Sequence, residues 1–384
     1  MSLYTAILLC VLLTLTNAVP AVLPPTSTEY DAIVVGGGPA GLGALSALAR
    51  IRRKALLIDS GEYRNDPTRF VHDVIGFDGI TPAYFRWVAR QQIAYYETVK
   101  AINGTVTKIK PETGNSNFTV SMTAFDGTVS SLTARKIILA TGLRDLLPPT
   151  PGLQENFGKG IYWCPWCDGY EHADQSMGIL GPFYDAVGAA AEVVTLNAET
   201  IIFANGTDTP ENRARADELF AENSSKYLLK RNIKVDNRTI TRVTKLRDGS
   251  ANHTDANVPV PEYDLFRIDF DVGPSLERNV FFCTFGNEQR SFIGEEAGVE
   301  LADGMMVVDQ NMLTNIPGIY AVGDANSDTR TNVGHALYTG KTAVVHLHGE
   351  IEKEISRGLN PQPLPPYKKD EKVTKSGESI WAEL

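Results

Sequence analysis

The chain has 384 residues, room for two domains, and its 43% hydrophobic and 21% charged composition is that of a globular protein. A net charge of −10 without a basic run excludes a nucleic-acid footprint and bears mainly on solubility. Four cysteines are too few to be the scaffold of such a chain.

Residues 6–15 are a short apolar run, too short to span a bilayer, followed by small residues Thr16-Asn17-Ala18. Residues 1–18 therefore read as a cleavable signal peptide, although the first five lack Lys and Arg. N-x-S/T sequons at Asn103, Asn117, Asn205, Asn223, Asn237 and Asn252 favour the same secretory route, secreted or lumenal, with no stable membrane span. Residues 19–29 form a Pro-rich linker.

A strand over 30–35 runs into Gly36-Gly37-Gly38-Pro39-Ala40-Gly41, then a helix to Arg50 and a strand over 55–58 ending at Asp59. In that β-α-β setting the glycines form a dinucleotide fingerprint. Gly36 makes the turn, Gly38 admits a pyrophosphate, Gly41 lets helix and strand pack, and the helix N-terminus offers free N–H groups. Asp59 is expected to accept from ribose hydroxyls. Residues 105–109, 118–124 and 128–132 read as a β meander, and 136–140 as a buried strand closed by Thr141-Gly142. The turn-rich PPTPG at 148–152 marks a boundary. A second strand-turn-helix-strand unit spans 177–180, 186–196 and 200–204. Residues 279–284 are expected as a strand returning to the first domain, 318–322 as another ending at Gly323-Asp324, and 334–351 as the last helix. The domains are thus 30–150 with 278–352, and an inserted 151–277; residues 357–384 form a polar, irregular tail.

Cys164-Pro165-Trp166-Cys167 can close a small, reducible disulfide ring. Half a zinc site is the competing reading, but no second Cys/His pair exists, so no metal is expected. Thiol exchange needs a base, for which Asp168, His335 and, more weakly, His172 are candidates. Trp163, Trp166 and Tyr170 suit packing or an apolar substrate cleft, and Cys283 suits a buried inert thiol.

With GGGPAG at 36–41, ATG at 140–142, CPWCD at 164–168 and TNIPGIYAVGD ending at Asp324, the chain resembles the low-molecular-weight thioredoxin reductases, class-II pyridine nucleotide-disulfide oxidoreductases, over residues 30–351. DSGEYRN from Asp59 to Asn65, with His72 downstream, is more specifically similar to fungal dithiol oxidases of the gliotoxin type. The resemblance implies an α/β fold of two Rossmann-like dinucleotide-binding domains, an FAD domain with a nicotinamide-type domain inserted, in a homodimer. It also implies FAD held by Gly36, Gly37, Gly38, Pro39, Ala40, Gly41, Asp59, Ser60, Arg64, Asn65, His72, Val106, Asp324, Asn332 and Val333. Cys167 would face the flavin and Cys164 the substrate, with Asp168 as acid/base and His335 near the flavin.

The inserted domain departs from that pattern. Its glycine turn reads Gly181-Pro182-Phe183-Tyr184-Asp185-Ala186, with the Phe183 ring expected where a pyrophosphate would approach. The next strand ends at Ala204-Asn205-Gly206, without the Arg that a 2′-phosphate favours, and Arg213 and Arg215 read as an ordinary helix face. NADPH is therefore doubtful. The expected activity is oxidation of a small-molecule dithiol through Cys164 and Cys167, with O2 as acceptor; the alternative is an NADPH-dependent disulfide reductase.

Overall fold

The computed structural model describes residues 28–112, 117–197, 199–220, 223–250 and 260–358. The expected signal peptide, most of the linker, the Asn252 sequon and the tail from 359 lie outside the described residues.

The apolar runs YDAIVV and ALLID are buried on both faces, as parallel strands covered by helices must be. Tyr30–Val35 lies between Ala55–Asp59 and the second half of Val129–Leu139, parallel to both. The first residues of Val99–Pro111 extend this sheet beyond Ala55–Asp59, and Ile319–Ala321 extends it beyond Val129–Leu139. The far halves of the two long strands pair antiparallel with Phe118–Ala124, giving the meander. The segments read as 128–132 and 136–140 are thus one strand, because the chain passes from meander to parallel sheet without a break. Helix Pro39–Arg50 and the last helix, Val333–Ser356, cover one face through Leu45, Leu48, Ala343 and Leu347. Gly340 sits where a Cβ would be 2.3 Å from the Ala40 carbonyl, so the two helices meet backbone to backbone. That contact aims the N-terminus of each at the same place.

A second parallel sheet runs Lys234–Asp236, Thr200–Phe203, Met177–Leu180, Val280–Cys283, Ile161–Tyr162. Beside it lies an antiparallel sheet of Ile240–Arg247, Leu265–Phe270 and Leu276–Arg278. Here one expectation fails. Val280–Cys283 does not return to the first sheet; it is an interior strand of the second, where its all-apolar face pattern is buried on both sides. The chain crosses back only afterwards, where Asn287–Gln289 pairs with Leu143–Asp145. The helix expected over 186–196 is Phe183–Glu192, starting directly after the glycine turn. No helix among the described residues is long and apolar enough to cross a membrane.

Candidate active site

The two helix N-termini face a cavity of about 290 Å³ lined by Gly36, Gly37, Gly38, Pro39 and Ala40 at one end and by Cys167 and Asp168 at the other. Ser60, Arg64, Asn65, His72, Val106, Asp324, Asn332 and Val333 also line it. The first turn is tight for steric reasons. Gly36 has φ +110, and a Cβ on it would lie 2.3 Å from the Ala140 carbonyl oxygen. Gly41 does not reach the cavity; a Cβ there would lie 1.9 Å from the Gly36 oxygen, so its role is to let helix and turn touch. By contrast a Cβ on Gly38 meets only Tyr63, at 4.0 Å. Gly41→Ala should therefore lose both fold stability and bound cofactor. Gly38→Ala should melt like wild type but bind cofactor more weakly; melting curves and visible absorbance per mole of protein check both.

Asp59 is placed differently from expectation. It is buried beneath Gly37 and does not line the cavity. Its Oδ1 accepts from the Gly61 N–H at 2.9 Å, and its Oδ2 accepts from the Tyr63 hydroxyl at 2.6 Å and Arg90 Nη2 at 2.5 Å. The carboxylate is used to hold the turn, leaving Ser60 and Glu62 on the cavity wall. Arg64 donates to both Asp145 oxygens at 2.7 and 3.0 Å and to Asp324 at 2.9 Å, with its guanidinium 5.2 Å from the Trp163 ring. Burial raises the Asp324 pKa, and Arg64 opposes that shift. His335 does not itself line the cavity, although Asn332, Val333 and Ala336 beside it do. Its Nε2 is 2.5 Å from Asp328 Oδ2, and its backbone N–H donates to the capping Asn332 side chain.

Cys164 and Cys167 are joined by a disulfide at the start of a short helix, Pro165–Asp168. Only Cys167 lines the cavity, with Trp163; Trp166 and Tyr170 are not packing residues but are 76% and 69% exposed on the outer side. Cys283 is buried, and burial pushes its thiol up to about 12, which fits an inert thiol.

Behind the pair lies a group of ionisable residues of which the sequence pointed only to Asp168 and His172. Arg69 donates to Glu262, to both Asp264 oxygens at 2.7 and 2.9 Å, and to Asp248 at 2.6 Å. The Tyr162 hydroxyl donates to Glu262 at 3.1 Å, and His172 lies 3.6 Å from Glu262. Burial holds the His172 pKa down to about 4, so it is neutral at pH 7. Asp168 closes this group on the cavity side. Burial raises its pKa well above the carboxylate range, Glu171 and Glu262 raise it further, and Arg69 only partly opposes them. His172, Glu262 and Asp264 come close enough to clasp an ion, but Arg69 already supplies the cation to both carboxylates.

The sequence model of the pyridine nucleotide-disulphide oxidoreductase family matches residues 30–340. The chain belongs to this family. It is 44% identical to a probable thioredoxin reductase of Arthroderma benhamiae over 89% of this chain and 86% of that one. It is 30% identical to the thioredoxin reductase aclD of Aspergillus oryzae over 84% and 96%. Among solved structures, HlmI superposes with a TM-score of 0.72 at 27% identity, covering 87% of this chain and 96% of that one.

The enzyme is therefore an FAD-dependent disulfide oxidoreductase of two Rossmann-like domains. The cavity fits that cofactor: it begins at a glycine turn and helix N-terminus suited to a pyrophosphate and ends at the redox pair. The Thr141 hydroxyl on its wall is buried without a hydrogen-bond partner, as expected of a group that meets a ligand.

The second glycine turn is built otherwise. Phe183 is fully buried in the core between its helix and sheet, so its ring does not fill the mouth of the turn as expected. What occupies the turn is Thr207: its Oγ1 accepts from the Phe183 N–H at 2.9 Å and donates to the Ala204 carbonyl at 2.6 Å. Pro182 contributes no N–H. Arg213 is paired with Asp208 at 2.6 Å, and Arg215 stacks on Tyr184 at 3.7 Å.

Proposed function

We propose that this flavoenzyme is a dithiol oxidase that forms a disulfide in a small-molecule substrate, with O2 as acceptor. The observation that carries the reading is the second glycine turn, where a Thr207 hydroxyl satisfies the helix N–H and Pro182 removes another donor that a nicotinamide dinucleotide would need. Arg213 and Arg215, the nearby cations, are engaged within the protein.

A substrate thiolate attacks Sγ of Cys164, the cysteine away from the cavity, and breaks the Cys164–Cys167 bond. Cys167 leaves as thiolate and takes a proton from Asp168, whose affinity for a proton burial raises. The second substrate thiol gives its proton to the Asp168 carboxylate and attacks the substrate sulfur of the mixed disulfide, releasing Cys164. The substrate has lost two electrons and the pair has gained them. Bound FAD supplies the two-electron acceptor from which O2 is reduced to peroxide. Exposed Trp166 and Tyr170 offer a substrate an apolar landing beside Cys164.

Titration of the holoprotein with NADPH without oxygen tests this reading. The flavin absorbance is expected to persist at stoichiometric NADPH and to bleach with a dithiol. Rapid bleaching by NADPH would establish the reductase alternative instead. The reading also places the enzyme in the secretory pathway as a homodimer. Asn103, Asn205, Asn223 and Asn237 are exposed and open to glycans, whereas Asn117 is buried. Native protein whose gel mobility is unmoved by glycosidase would refute that placement, and sedimentation checks the dimer.

A further inference from the structure

Asp168 has the cavity on one side and the ionisable group on the other. The groups facing it are Tyr162 from the second sheet, Glu171 and His172 from the turn Tyr170–His172, Arg69 and His72 from the segment after Asp59, and Glu262. From there two branches lead to the surface. One runs through Glu262 and Arg69 to Asp248, which is 61% exposed. A guanidinium does not give up its proton, so this branch is an anchor and cannot conduct. The other runs through Glu171 to His72, whose Nε2 is 3.6 Å from Glu171 Oε1, and on to Asp78, 3.3 Å from His72 Nδ1 and 49% exposed. Every member of this branch can take and release a proton. Asp168 and Glu171 share the wall of one small cleft without a direct hydrogen bond, so that step, like the 3.6 Å gap, needs a small rotation or a bridging water.

We propose that Glu171, His72 and Asp78 form the path by which the proton on Asp168 exchanges with solvent, so that the redox pair can be served with protons while the cavity is filled. A proton taken from water at Asp78 passes to His72, then to Glu171, then to Asp168, and the reverse sequence discharges one. The cysteine pair needs this whichever way electrons flow, so the proposal rests on the disulfide chemistry and not on its direction. Burial raises the pKa of Glu171, and His72 opposes that shift. Glu171, His72 and Asp78 are positioning residues here; none is assigned contact with the reacting sulfurs.

The test is stopped-flow reduction of the holoprotein by dithiothreitol in dilute buffer, for wild type, Glu171→Gln and His72→Gln. FAD content, melting temperature and the infrared carboxyl band that disappears in Asp168→Asn are measured alongside, the band during transfer to D2O. Glu171→Gln is expected to stay folded with FAD bound, and His72→Gln, which alters the cavity wall, is compared per mole of bound FAD. Both are expected to react about ten-fold more slowly and to exchange the Asp168 proton more slowly. Added imidazole is expected to restore His72→Gln. Wild-type rates and exchange in both variants would overturn the path. So would slowing that imidazole leaves in place while proton exchange is unchanged, since that marks a purely structural role. Dithiothreitol reduces the pair in an oxidase or a reductase, so NADPH bleaching could refute the dithiol oxidase and leave this result intact.

Discussion

Cys167→Ser is expected to abolish dithiol-driven flavin reduction while leaving FAD bound. The loss should be of the order seen when a covalent catalyst is removed, about 10³-fold or more. The reason is geometric: Cys167 is the only one of the two sulfurs on the cavity wall, and among the described residues no other cysteine lines it to relay electrons from the exposed side to the cofactor. Cofactor retention follows because the glycine turn, Arg64 and Asp324 are separate from the pair. Cys164→Ser should also be inactive, but for a different reason: Cys167 remains at the cavity, while the thiol that substrate attacks is gone. The two variants differ in a second readout. Cys167→Ser leaves a lone Cys164 that traps an activated substrate disulfide as a stable mixed disulfide, measurable as a mass increment. Oxygen uptake with a dithiol that survives either change would remove the pair from the mechanism.

How much of this was legible in the sequence depends on distance along the chain. The first glycine turn was, because strand, turn, helix and Asp59 all fall within residues 30–59 and each has a local signature. The disulfide and Asp168 were, because they are neighbours. Asp59 was misread because the fingerprint records a carboxylate at the strand end but not that Tyr63 and Arg90 occupy it. Phe183 was misread because a helix starting at that residue turns its side chain into the core, where the ring is apolar filling and not an obstruction. Val280–Cys283 looks the same from sequence in either sheet, since both bury their strands on two faces. Arg69 left no signal at all: its partners Glu262 and Asp264 are 193 and 195 residues away. Only the folded topology brings them together.

Arg69→Met is expected to cost about 3–5 kcal/mol of stability, the range for removing one partner of a buried ion pair. The exposure of the acidic partners decides the size. The Asp264 side chain is fully buried and that of Glu262 is 4% exposed, so neither is hydrated once the guanidinium is gone. Asp248, 61% exposed, contributes little. The loss should depend on pH in a definite direction. Burial raises the Glu262 pKa, and Arg69 is the main group holding it down. Without Arg69 that pKa rises further above its unfolded value. A carboxyl raised on folding contributes stability below its unfolded pKa and loses it as pH rises through the folded value. Arg69→Met should therefore be nearly as stable as wild type in mild acid and fall increasingly short of it towards neutral and alkaline pH, as melting temperatures across pH would show. Glu262→Gln with Asp264→Asn in the same chain should recover much of the deficit, because the uncompensated charges are then absent. A deficit that is flat with pH, or that the added substitutions deepen, would mean that Arg69 acts by packing. The consequence for function follows from where the arginine comes from. It stands in the segment after the first β-α-β unit, while Glu262 and Asp264 belong to the inserted region that carries the disulfide. The same ion pairs thus hold Cys167 against the cavity, and Arg69→Met should slow dithiol-driven flavin reduction at temperatures where the protein is still folded.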